Sequence, residues 1–323
     1  MLGLVIPQLA SAHVKWFTDV DPVKEPIERI LSPFFMIMAL SVAVLLAILT
    51  QLLPAIMQIP LLRRFDRQVE RLRPWSFRLL KYGTAAALLW QAVEGTLFAP
   101  EIELQGTWAV VFLWLAIALL LIPHHYASKA AAVVLLGLFV YSIRLAEHGW
   151  FHMLDYGFYV AIMAGLALQR TKWESWSFPL LYLGTGLSLC WVATEKWIYP
   201  KMALDVIEHH GVPTFGFAPE LFIVMCAFIE FVVGYLLVVG ILNRLLAIVL
   251  TGIFITTTML FGYVEVVGHF MIHIILLIFI IEGVSFYKPP IEIHKTTVDR
   301  MVFVMLNFLF VVAAFLLIYF RFG

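Results

Sequence analysis

Residues 79–98, LLKYGTAAALLWQAVEGTLF, align without a gap on residues 180–199, LLYLGTGLSLCWVATEKWIY, at an offset of 101 residues. Eight of the twenty positions are identical: the leading Leu pair, Gly83 with Gly184, Thr84 with Thr185, Leu88 with Leu189, Trp90 with Trp191, Ala92 with Ala193 and Glu94 with Glu195. Shared apolar composition alone would give roughly two or three matches, so the pattern reads as an internal duplication. Both stretches are long and apolar enough to approach a bilayer crossing, and each closes on a glutamate four residues after a tryptophan, on one helical face.

The rest of the chain agrees with a lipid setting. Of the 323 residues 63% are hydrophobic and only 13% charged, with a mean hydropathy of +0.97, too apolar for a solvated surface. Apolar runs near or at spanning length cover approximately residues 34–53, 82–98, 108–122, 130–146, 150–168, 179–197, 221–242, 245–264, 266–284 and 301–320. The expected fold is therefore an all-α integral membrane protein of about ten transmembrane helices. It divides into an outer segment, first helix and basic loop (1–78), a first four-helix repeat (79–170), a second (179–285), and a loop with the last helix (286–323). Four crossings per repeat return each copy to the side where it began, so the repeats are expected to be parallel, related by an axis along the membrane normal.

Charge placement orients the chain. Net charge is zero, 21 basic against 21 acidic residues, and no basic tract suits a nucleic-acid partner. Arg63, Arg64, Arg67, Arg71, Arg73, Arg78 and Lys81 crowd the link between the first two spans, which the positive-inside rule assigns to the cytoplasm. Both termini, the EIEL turn and the loop carrying His209 and His210 then fall outside, on the periplasmic face if the membrane is a bacterial inner membrane. Cys190 and Cys226 are isolated in apolar runs and read as packing residues rather than a dithiol pair.

The ionisable residues share the outer half of the bilayer. Glu94 and Glu195 end two matched spans; Glu147, His148, His152 and Asp155 open the fifth, with His148, His152 and Asp155 spaced to share a helical face; Glu265, His269 and His273 descend the ninth at i, i+4 and i+8. A charge at the centre of a membrane helix costs about 2.5–3.5 kcal/mol, so several require an offset on the order of 10 kcal/mol. No lysine or arginine adjoining them supplies it, and a metal, a proton relay or a water-filled cavity would. Two H-x-x-x-H pairs flanked by carboxylates suit a transition metal such as iron, copper or zinc, with Glu94, His148, His152, Glu195, Glu265, His269 and His273 as ligands or supporting bases. Mid-span Glu230, whose repeat counterpart is approximately Leu115, is a candidate cavity-lining, proton-carrying or cofactor-binding group.

CWVATEKWIYP, the loop to GVPTFGFAPE and FIEFVVGYLLVVGILNRLLAIVL, over about residues 180–262, resemble the DoxX-like membrane proteins; Glu195-Lys196, Gly211, Glu230, Gly234, Gly240 and Arg244 carry the likeness. The resemblance implies a membrane oxidoreductase or a subunit of one, linked to a quinone and to an electron-transfer partner. The expected function is accordingly a metal-binding membrane oxidoreductase with its site between the repeats. The alternatives are a cation- or proton-coupled carrier using the same residues, and a non-catalytic scaffold whose polar groups only pair helices.

Overall fold

In lipid a polypeptide must satisfy its own backbone hydrogen bonds, and this chain does so with helices. The computed structural model describes residues 14–18, 20–56, 58–145, 150–283 and 296–323. Its helices are α1 (Ile27–Ile30), α2 (Pro33–Ile56), α3 (Pro60–Val69), α4 (Ser76–Glu94), α5 (Thr107–Leu121), α6 (His125–Ser142), α7 (Gly157–Leu168), α8 (Ser177–Ile198), α9 (Pro200–His210), α10 (Pro219–Val239), α11 (Asn243–Phe261), α12 (Tyr263–Glu282) and α13 (Thr297–Phe322). Among the described residues seven are long and apolar enough to cross a membrane: α2, α6, α8 with the turn preceding it, α10, α11, α12 and α13. These seven fit an integral membrane protein. Three further helices are shorter or more polar: α5, the 152–168 segment that contains α7, and the 19-residue α4 with Arg78, Lys81 and Glu94.

The matched stretches end differently, for a local reason. The apolar run predicts a span to residue 98, but α4 stops at Glu94 because Gly95 adopts a left-handed conformation (φ 74°) and its N–H closes on the Gln91 and Ala92 carbonyls. Thr96–Leu97 (β1) and Ala99–Glu103 (β2) then form a short antiparallel ribbon. The residue matching Gly95 is Lys196, which has no such freedom, and α8 runs on to Ile198. The long loop after α8 is also more ordered than its polar composition suggests: Pro200 starts α9 and Gly211 caps it.

Contacts between helices follow two closed circuits. α4 meets α5, α5 meets α6, α6 meets α7, and α7 returns to α4; α8 meets α10, α10 meets α11, α11 meets α12, and α12 returns to α8. The circuits touch where α4 packs on α12 and α7 on α8. A side chain at Gly83 of α4 would collide with Ile274 of α12, and one at Gly184 of α8 with Ala161 of α7. α2 and α13 lie together against the second circuit, on α10 and α8 respectively. Large apolar residues such as Ile37, Leu45, Val133, Leu306 and Phe310 remain exposed on the outward helix faces, as expected where lipid is the solvent.

Candidate functional site

The second circuit encloses a cavity of about 560 Å³, within the range of small-molecule sites. Its walls are mostly apolar, including Phe158, Leu189, Val192, Ile229, Val233, Ile253, Phe254 and Ile272, and its polar groups are Asp155, Thr185, Ser188, Lys196, Glu230, Thr257, Glu265 and His269. α10 and α11 are consecutive, yet they touch far less than α11 and α12 do. Ile229 on α10 and Ile253 on α11 both line the cavity and are both exposed. The seam between these two helices is therefore the open side, and it faces lipid.

One wall is held by a group from a distant part of the chain. The turn at Val14–Trp16 inserts between the carboxylates, where the Lys15 ammonium pairs with Asp155 Oδ2 and lies 3.0 Å from Glu195 Oε1. All three side chains are at most 5% exposed. Burial disfavours the ammonium, but Asp155 and Glu195 outweigh it and hold Lys15 above its ordinary lysine value. His152 Nδ1 lies 3.2 Å from both Glu195 Oε1 and the Tyr319 hydroxyl of α13. The adjacent Trp16 donates its indole N–H to the Tyr156 hydroxyl at 2.9 Å, and Tyr156 in turn donates to Glu101 of β2. The Trp16 ring lies over Gly268, where any side chain would displace it, with its centroid 5.2 Å from that of His269. One turn thus links the Asp155/Glu195 group to the α12 group.

On α12, Glu265 Oε1 accepts from the Thr257 hydroxyl at 2.7 Å and lies 3.0 Å from His269 Nδ1. Phe254 packs on His269 and, more distantly, on His273, with ring centroids 4.6 and 6.0 Å away. His273 does not line the cavity. Across from these, Lys196 pairs with Glu230.

The candidates read from sequence therefore separate. Glu195 and His152 meet, Glu265 and His269 meet, and Glu230 shares the cavity with Glu265, His269 and Asp155. Glu94 stands apart: it is exposed at the end of α4, where its carboxylate accepts from the Tyr263 hydroxyl at 2.5 Å, itself a target of the Trp90 indole at 3.0 Å. Gly95 ends α4 directly after Glu94, whereas α8 runs three residues past Glu195 to Ile198. Glu147 and His148 lie outside the described residues. His152 and Asp155 belong to a 3-10 turn (His152–Tyr156), not to a continuous α-helix, and the three-residue period of that turn still aligns them.

Among the described residues no three His, Cys, Asp or Glu side chains converge as a metal would require. The counter-charge that the sequence seemed to lack is Lys15, 140 residues from Asp155. Comparison with family models, with curated proteins and with solved structures found no match. The site thus stands on its own chemistry. It offers an apolar chamber with protonatable groups at fixed positions and access from the lipid side.

Proposed function

We propose that this protein is a membrane oxidoreductase subunit that binds a lipid-soluble quinone in the cavity of its second circuit and exchanges protons with it through Asp155, Glu265, His269 and Glu230. The observation that carries this reading is the cavity itself: apolar enough for a ring and tail, polar at defined points, and open along the α10–α11 seam. Carboxylates and an imidazole beside a ligand that gains or loses protons on redox change are suited to general acid–base work. The resemblance of residues 180–262 to DoxX-like proteins points the same way and rests on those residues alone. Electrons would come from or pass to a separate partner protein at the outer face.

The architecture proposed with it is ten crossings in two parallel four-helix units, with both termini on the periplasmic side of a bacterial inner membrane. The equivalent contacts of Gly83 and Gly184, each on the last helix of the other unit, are what a two-fold along the membrane normal produces. The test is extraction of bound lipid from protein purified in mild detergent. A quinone retained near one per chain, and lost when Val233 is replaced by Trp to fill the cavity, supports the reading. Quinone retained equally by Val233→Trp would sink it.

A further inference from the structure

The link between α2 and α4 is a short helix, α3, that runs straight into a 3-10 turn at Glu70–Trp75, its main packing partner. Its residues divide by face. Leu62, Phe65 and Val69 recur at i, i+3 and i+7, and Arg64, Arg67 and Arg71 recur at the same spacing on the opposite side. All three arginines are exposed, and so are Phe65, Leu72 and Trp75.

Two arginine contacts fix the depth of this segment. Asp66 pairs with Arg244, whose guanidinium also donates to the Ile280 carbonyl at 2.6 Å and to the Ile281 carbonyl at 3.1 Å. Arg73 donates to the Glu282 carbonyl at 2.7 Å and lies 3.5 Å from Glu70 Oε1. Arg244 is the second residue of α11 and residues 280–282 end α12, so α3 lies where two spanning helices leave the bilayer. The same contacts occupy both acids of the segment. Among the described residues no carboxylate pairs with Arg64, Arg67 or Arg71.

An amphipathic helix at that depth, with uncompensated positive charge on one face and apolar residues on the other, is matched to the boundary of a lipid leaflet. We infer that α3 and the turn after it are a docking site for anionic phospholipid. Arg64, Arg67 and Arg71 take the phosphate groups, while Leu62, Phe65 and Val69 lie against the upper acyl chains. Trp75, with the Arg78 guanidinium 4.7 Å from its ring centroid, marks the head-group level beside them. The site is independent of what the cavity holds. Each basic residue near an anionic surface adds roughly fivefold in affinity, and three add on the order of a hundredfold.

Titration of the full-length protein in neutral detergent with phosphatidylglycerol or phosphatidylcholine, with bound lipid counted by native mass spectrometry, gives the relative affinities of the two. Phosphatidylglycerol should bind at least tenfold more tightly. Arg64→Gln/Arg67→Gln/Arg71→Gln should bring the ratio close to one without moving the thermal unfolding midpoint. The corresponding triple lysine variant, which keeps the charge, should retain most of the preference, and Arg29→Gln, at an exposed arginine of α1, should leave it unchanged. Equal binding of both lipids by the unaltered protein, or a ratio unmoved by the triple glutamine variant, overturns the site. So does a ratio lost as fully with lysine as with glutamine, or lost with Arg29→Gln, because the stripe's charge would then not be what the lipid meets.

Discussion

Replacing Lys15 by methionine keeps most of the side-chain length and removes the charge. Asp155 and Glu195 would then be two carboxylates at most 4% exposed with their shared ammonium gone, and only His152 remains near Glu195. Breaking a buried ion pair by removing one partner costs about 3–5 kcal/mol, chiefly because the other charge is left in a poor medium. The loss should appear first as release of the Val14–Trp16 turn, since Lys15 and Trp16 dock together. Unfolding of purified Lys15→Met in mixed micelles would measure the cost, and limited proteolysis before Val20 would locate it. Neutralising all three groups in Lys15→Met/Asp155→Asn/Glu195→Gln should recover most of the stability, because a neutral hydrogen-bonded set carries no desolvated charge. A cost under about 1 kcal/mol for Lys15→Met, or a triple variant no better than the single one, would refute the account of Lys15 as the counter-charge.

The same pair sets a pH dependence. The folded Lys15 is raised above the ordinary lysine value, so its contribution is complete below about pH 10.4 and is lost only as pH climbs through the raised value. Stability from this source should be flat between pH 7 and 10, and a decline there that Lys15→Met abolishes would contradict it. Reporter tags near Arg71 and His209, both exposed, should score as cytoplasmic and outer respectively; reversed signals would undo the orientation. Elemental analysis of purified protein is expected to find no stoichiometric iron, copper or zinc held at Glu195, where Lys15 supplies the positive charge. A metal that is present and is lost on His152→Ala would support the metal centre suggested by the histidine spacing.

Much of this molecule could be read from its residues, and the limits fall where chain order stops informing on space. Apolar length locates the helices, because lipid leaves the backbone no other partner, and α8, α10, α12 and α13 lie within a few residues of the predicted spans. Gly95 stands opposite Lys196 in the alignment, but the end that it puts to α4 at Glu94 depends on backbone geometry that an apolar run does not encode. Glu195, Glu265 and His269 were recognisable as polar groups within apolar runs, and all three are buried. Lys15 was not, because it sits in a three-residue turn with no periodicity and reaches a carboxylate far away in the chain. A lone lysine beside Trp16 and Phe17, in a protein short of lysines, is the one clue that sequence offered. The placing of the Trp16 ring against His269 belongs to packing alone.

An opening between α10 and α11 changes what affinity means for whatever occupies the cavity. A compound arriving through that seam has already left water, and its supply is set by its mole fraction among lipids rather than by its aqueous concentration. Most of the hydrophobic driving force is then spent on partitioning, before the protein is met. The protein need add only the difference between a lipid neighbourhood and its own walls. A site of this kind can turn over a strongly apolar molecule quickly, since release returns it to the bilayer and not to water.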